Sequence, residues 1–373
     1  MTKSTSKKFK VGIVGCGGIA REKHLPALSN LDNIEVVAFC DIIIERAEKL
    51  AKKHGTEDAI VTEDYKELCT NPDIDVIHVL TPNASHAPIS ILAMENGKDV
   101  MCEKPMAKTA EDARKMVEVA KETGRTLTIG YQGRQREDSL YLKKLVEDGE
   151  LGEIYYAKAH AIRRRGVPTW GVFLDAEQQG GGPLIDIGTH ALDLTLWEMD
   201  NYDIDYVVGS SYRKLGDNEN SANIFGPWDP KEFTVEDSAF GFIKMKNGAT
   251  VILEASWALN TLDVGESQTS LSGTKAGADM KGEKGQLRIN GEKNGKMWVM
   301  EPDLKTGGVA FFDGAKMDPE DREAWQFYKA LEEGTKPTVL PEQALVVTEV
   351  LEAIYRSAES GKPIHFENGR QID

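Results

Sequence analysis

Over the first 130 residues, short apolar runs alternate with segments of helical period. The runs Lys10–Val14, Ile34–Cys40, Ala59–Val61, Ile74–Leu80, Val100–Cys102 and Thr126–Gly130 are continuous rather than alternating. That is the pattern of parallel strands covered on both faces. The segments between them predict helices near 18–30, 42–54, 84–96 and 109–123. The last has a start signal, Thr109 with Asp112 three residues on, and a stop at Gly124. Strand–helix alternation at this spacing predicts a doubly wound parallel sheet.

Past residue 131 the period changes. A helix near 138–148 ends at Gly149, and longer alternating strands follow, beginning with Glu153–Ile162. Thr234–Lys246 and Ala249–Ala258 meet at Asn247-Gly248, a two-residue hairpin signal. Further strands fall near 268–274, 286–290 and 296–300, and helices near 319–333 and 342–360. The expected architecture is α/β plus α+β. A parallel sheet is expected over 1–131 and a large, mostly antiparallel open sheet over 132–373, with the C-terminal helix free to pack back on the first domain.

Composition narrows the function classes. With 373 residues, two domains are the default. A net charge of −16 argues against nucleic acid or an anionic membrane as the main partner. No apolar run approaches the roughly 20 residues of a membrane helix. The start, MTKSTSKKFK, is basic without the apolar core of a signal peptide, and reads as a short frayed lead-in. Cys16, Cys40, Cys69 and Cys102 form no C-x-x-C pair, which fits a reducing, cytoplasmic location and points to no metal.

The first strand runs into Gly15-Cys16-Gly17-Gly18-Ile19-Ala20, a G-x-G-x-x-[G/A] turn opening a helix. Small residues there permit a tight turn and close approach to a pyrophosphate, which the helix N-terminus attracts. Asp41 follows about 20 residues on, at the end of the second strand, where a carboxylate can accept hydrogen bonds from ribose hydroxyls. It could equally cap the next helix. Ile42-Ile43-Ile44 supplies no base for a 2′-phosphate, so NAD is expected and NADP disfavoured. Thr81-Pro82-Asn83-Ala84-Ser85-His86 closes the fourth strand and should border the same edge. Asn83 or Ser85 could also cap the following helix, and His86 is balanced between lining the site and facing along that helix.

Two segments carry chemistry. Glu103-Lys104-Pro105 ends the fifth strand, and the proline forces Lys104 to be extended. A lone strand-end lysine is usually solvated, but this one shares the cofactor edge. Gly180-Gly181-Gly182-Pro183 then precedes Asp186 and His190, four apart and so on one face of a helix. A carboxylate beside an imidazole can prepare a general base; the alternative is a capping acid with a buried histidine. Asp193 reads as a second partner or a surface acid.

Together these motifs resemble the Gfo/Idh/MocA oxidoreductases over nearly the whole chain, including Gly149–Ile154 and Glu352–Ser357. The resemblance implies a Rossmann domain joined to an α+β domain whose open sheet mediates dimers or tetramers. It also implies a cis Lys104-Pro105 bond and NAD(P)-dependent chemistry at a sugar or cyclitol hydroxyl. Carried over, Lys104 bonds the reacting oxygen, His190 takes the hydroxyl proton, Asp186 orients it, and Glu103 supports Lys104 or the cofactor. One departure is Gly130–Arg136, where relatives often carry an R-R-F-like segment; Tyr131 and Gln132 are expected to line the substrate cleft. Arg163 and Trp170, in the basic stretch Arg163–Gly171, are expected at the substrate, although this stretch could instead pair with the protein's own carboxylates. The expected reaction is NAD-dependent oxidation of a secondary hydroxyl. Alternatives are an NADPH-dependent reductase, an NAD-dependent glycosidase, or a dinucleotide-sensing regulator.

Overall fold

Every apolar run read in the first third of the chain forms a strand. The computed structural model describes residues 8–219, 221–281, 286–304, 317–367 and 369–372. The basic lead-in at 1–7 lies outside them. The strands are β1 (Phe9–Val14), β2 (Ile34–Cys40), β3 (Ile60–Thr62), β4 (Val76–Val79), β5 (Asp99–Cys102) and β6 (Leu127–Ile129). They pair in parallel in the order β3-β2-β1-β4-β5-β6. The order reverses between β1 and β4, which opens a ligand crevice at their carboxyl ends.

The first connecting helix starts at Gly18 as expected but is not uniform: a π-helical turn, Ala20–His24, separates Gly18 and Ile19 from the α-helical Leu25–Ser29 (α1). Pro26, with no N–H to give to the preceding turn, sits at the junction. α2 (Ile44–His54) follows β2. α3 (Tyr65–Thr70) has no counterpart in the sequence reading, because six residues are too few for a helical period to register. Asp64 caps it, accepting the Lys66 N–H at 2.9 Å. α4 (His86–Glu95) begins after a 3-10 turn at Asn83–Ser85. In α5 (Ala110–Thr123) the expected cap forms: Thr109 Oγ1 accepts the Asp112 N–H at 3.1 Å, and Gly124 closes the helix left-handed.

The second unit starts with α6 (Glu137–Glu147) and β7 (Ile154–Ile162). α7 (Ala176–Gln179), a π turn at Leu184–Gly188 and α8 (Thr189–Met199) lead to β8 (Ile204–Tyr212). β9 (Ser238–Met245) and β10 (Thr250–Ser256) form the hairpin expected at Asn247-Gly248. β11 (Gly265–Gly273), β12 (Ala276–Asp279), β13 (Arg288–Lys293) and β14 (Lys296–Met300) complete one flank. Two helices, α9 (Pro319–Glu333) and α10 (Pro341–Ser360), and two short strands, β15 (Ile364–Glu367) and β16 (Arg370–Ile372), end the chain. The 10-stranded sheet runs β14-β13-β12-β11-β7-β10-β9-β8-β15-β16 and is antiparallel except at β10–β7. Its inward residues are small on β7 (Ala157, Ala159, Ala161), and α8 packs there and on β11.

One unit comprises 1–132 with 317–345, the other 133–316 with 346–373. The expected division placed all of 132–373 in the second domain. Instead α9 belongs to the first unit, because its apolar stripe has a target there. Phe327 and Tyr328 join Val11, Ile13, Leu25, Leu28 and Phe39 in one buried cluster.

Candidate active site

The glycine turn is held where β1 and β4 part. Gly15 has φ +96°, and a Cβ there would collide with the Leu80 carbonyl. Gly15 N–H bonds Cys40 O at 2.8 Å and Cys16 N–H bonds Asp41 Oδ2 at 2.8 Å, tying the turn to the end of β2. Gly17 and Gly18 face open space. Asp41 Oδ1 accepts the Ile43 N–H at 2.9 Å, which starts α2 without a conventional side-chain cap on its N-cap residue. Each oxygen keeps a lone pair for a ribose hydroxyl. Ile19, Ile42 and Ile43 are exposed beside these residues, with Ile42 at 84 %. A Cβ-free cradle, a carboxylate at the β2 end and apolar Ile42-Ile43-Ile44 where a base would meet a 2′-phosphate fit a dinucleotide lacking that phosphate.

The rest of this edge is more buried than expected. Thr81 is half-buried, and its Oγ1 has no partner among the described residues; Pro82 is exposed and Asn83 buried. His86, which the sequence left between lining the site and facing along its helix, is fully buried, with Nδ1 2.7 Å from Pro105 O and Nε2 2.9 Å from Thr81 O. It clips the loop after β4 to the turn after β5. Burial pushes its pKa down, while the two carbonyls and Glu103 favour its proton.

The Lys104-Pro105 bond is cis. Lys104 is half-buried, and its backbone N–H donates to Glu103 Oε2 at 3.1 Å. Glu103, expected to support Lys104 or the cofactor, is engaged by protein atoms. Its Oε1 accepts from Lys23 Nζ at 2.7 Å and from His24 Nε2 at 2.8 Å. Burial alone would raise its pKa, but Lys23 and His24 hold the carboxyl well below the usual range. Lys23 also reaches Glu323 at 2.9 Å and Gln132 Oε1 at 3.4 Å, so its three protons have acceptors. Burial opposes its charge, but Glu103 and Glu323 hold it above the ordinary lysine range. Burial and the nearby Glu103 push Glu323 up to about 7 against the pull of Lys23.

A histidine chain continues from Glu103. His24 Nδ1 lies 3.1 Å from His78 Nδ1, and His78 Nε2 lies 2.9 Å from Tyr328 Oη. Burial lowers the pKa of both imidazoles, most strongly for His78. With both neutral, one orientation satisfies every contact. Tyr328 donates to His78, His78 donates to His24, and His24 donates to Glu103. The sequence reading missed Lys23, His24, His78, Glu323 and Tyr328. Only His78, a polar residue inside the apolar run Ile74–Leu80, stood out; Lys23 and His24 lie in the polar stretch Arg21–His24 and Glu323 among other charges, and their partners lie up to 300 positions away.

In the second unit, the glycine run feeds the π turn that carries Asp186. A Cβ on Gly182 would strike the Glu236 backbone, and one on Gly181 the Tyr355 hydroxyl. Half-buried Glu236 accepts the Gly182 N–H at 2.8 Å, the Leu184 N–H at 3.1 Å and the Tyr355 O–H at 2.8 Å. Asp186 Oδ2 accepts the Trp257 Nε1–H at 3.1 Å. His190 lies in the first turn of α8, past the π-to-α junction rather than on one uniform helix, and both residues are half-buried. Wide π turns are frequent at functional sites. Asp193 is neither surface acid nor histidine partner: it accepts from Arg134 Nε at 2.9 Å and Nη2 at 2.5 Å, both side chains buried. Arg163 forms a fork with Glu266 at 2.6 and 2.8 Å, the pairing with the protein's own carboxylates that the sequence left open. Trp170 is exposed.

Residues 9–131 match the oxidoreductase family with an NAD-binding Rossmann fold, and residues 143–366 match that family's C-terminal alpha/beta domain. The D-glucoside 3-dehydrogenase of Escherichia coli K12 is 36 % identical over 365 residues, 97 % of this chain and 99 % of that protein. An inositol 2-dehydrogenase of Salmonella paratyphi B is 36 % identical over 147 residues, 39 % of this chain and 43 % of its own. Among solved structures, levoglucosan dehydrogenase in complex with NADH shares the fold at TM-score 0.81 and 20 % identity, over 97 % of this chain and 100 % of that one. The chain therefore belongs to the Gfo/Idh/MocA oxidoreductases, and its first unit is their NAD-binding Rossmann domain.

Proposed function

We propose that this protein oxidises a secondary hydroxyl of a sugar, sugar derivative or cyclitol. The observation that carries this reading is Asp186, fixed by the Trp257 N–H and followed four residues on by half-buried His190. The names of the relatives, D-glucoside 3-dehydrogenase above all, support the substrate class. When bound, NAD supplies the hydride acceptor.

In this reading His190 takes the hydroxyl proton as the carbon–hydrogen bond weakens, and Asp186 stabilises the imidazolium that results. Lys104 donates to the same oxygen and stabilises developing alkoxide charge. Glu103 holds the Lys104 backbone, and the His86 contact with Pro105 O fixes the following turn. A dinucleotide-sensing regulator would need no such proton-transfer pair. Four free, buried cysteines suit a reducing, cytoplasmic setting. Exposed Val208, Tyr212 and Phe242 on β8 and β9 suit a homodimer or homotetramer through this sheet. The test is incubation with NAD and a panel of hexoses, glucosides, uronic acids and inositols, read as NADH absorbance. Oxidation of at least one member is expected; oxidation of none would overturn the reading.

A further inference from the structure

Trp170 is 53 % exposed, and beside it Phe225 is 41 % and Ile224 74 % exposed. This is not a loose surface patch. Asn223 Nδ2 donates to Val167 O at 2.8 Å and to Gly226 O at 2.7 Å, and its Oδ1 accepts the Val167 N–H at 2.9 Å. Thr169 Oγ1 donates to Phe225 O at 2.7 Å. Two loops, one carrying Trp170 and one carrying Phe225, are thus laced together and present their rings in a fixed arrangement. The ring centroids lie 4.9 Å apart at 86°.

The exposed rings also connect to the proposed proton-transfer group within the same unit. Trp170 meets Phe173 at 5.8 Å, Phe173 meets Trp257 at 6.4 Å, and the Trp257 indole N–H holds Asp186. The Arg163 guanidinium lies 5.8 Å from the Phe225 centroid and is already neutralised by Glu266. The rings therefore offer stacking faces, and the cation lying over Phe225 is already paired. Apolar rings held rigidly in water suit a flat ligand with C–H faces, since the protein's own side chains need little further ordering on binding.

We propose that Trp170 and Phe225 form a subsite for a second pyranose ring, glycosidically joined to the ring whose hydroxyl is oxidised. The substrate is then a glycoside rather than a free monosaccharide. This rests on the sugar-oxidation reading and extends it.

The test compares maltose and cellobiose with methyl α- and β-D-glucoside, using the full-length protein, Trp170→Ala and Trp170→Phe. Because Trp170 is exposed, its replacement leaves the core intact. For Trp170→Ala, kcat/KM on the disaccharide that is oxidised should fall about tenfold, equivalent to about 1.4 kcal/mol, while the methyl glucosides hold within about twofold. Trp170→Phe should recover most of the loss. Calorimetric titration of the two disaccharides into the protein with NADH gives a readout independent of turnover. Equal losses on both substrate types, or no loss on either, would overturn the subsite. So would a changed oligomeric mass of Trp170→Ala with unchanged discrimination, which would make the patch a subunit contact. If the wild type oxidises no sugar, the sugar-oxidation reading fails. The subsite then stands only if either disaccharide binds and Trp170→Ala weakens that binding.

Discussion

Replacing Glu323 by glutamine removes from the buried Lys23 cluster the acid that titrates near neutrality. Glu323 is 6 % exposed, with Oε2 at 2.9 Å from Lys23 Nζ, and burial with nearby Glu103 pushes it up to about 7 from an ordinary 4.5. An acid with a raised folded-state pKa holds its proton more tightly when folded. Its contribution to stability is therefore complete below about pH 4.5 and is lost as pH rises through about 7. The span corresponds to at most about 3 kcal/mol, at 1.36 kcal/mol per pH unit. Glutamine copies the protonated form, with its carbonyl toward Lys23 and its amide in place of Oε1, which has no partner among the described residues. Buried His24 and His78 act in the opposite sense: their lowered pKa values make stability present above about pH 6.5 fade as pH falls. Both proteins keep those histidines, so their effect cancels in the difference. Urea midpoints at pH 5, 6, 7 and 8 should show Glu323→Gln gaining on the wild type with rising pH, by about 2–3 kcal/mol in total. Parallel stability curves would refute the argument.

Two further predictions concern the site. Glu236→Ala leaves the Gly182 and Leu184 N–H groups without their acceptor, at a cost of about 1–3 kcal/mol each, and loosens the turn before Asp186. Turnover should fall by more than NADH affinity, with Glu236→Gln recovering part of it; equal losses in both would show a merely structural role. Asp41→Ser should lower kcat/KM with NAD at least about tenfold and raise it with NADP, since a 2′-phosphate would no longer meet a carboxylate; a wild-type preference for NADP would contradict the assignment.

The parallel sheet was legible because each strand is a dense apolar run between helical segments, and the Thr109 cap and Asn247-Gly248 turn are local signals that depend on few neighbours. β8 and the short β12, β15 and β16 were not seen. β8, at Ile204–Tyr212, has only two fully buried residues, and its partner β9 is distant in sequence. The site was legible to the extent that its groups sit in short motifs. The groups proposed to act there, Lys104, Asp186 and His190, were all named from such motifs. Their supports could not: Glu103 is held by Lys23 and His24, Glu236 by Tyr355, and Asp193 by Arg134, all through pairings far apart in the chain. Asp193 illustrates the ambiguity, because an acid three residues after a histidine reads as its partner until a buried guanidinium takes both oxygens.

The central claim is that Lys104 acts on the reacting oxygen rather than on the dinucleotide. Lys104→Ala, assayed with the sugar or cyclitol that the wild type oxidises and titrated with NADH by fluorescence, tests it most directly. Turnover should fall by at least about 100-fold, in the range seen for loss of a charge-stabilising donor, while NADH affinity changes by less than about twofold, within about 0.4 kcal/mol. Turnover near the wild-type value, or a loss carried entirely by NADH affinity, would contradict it.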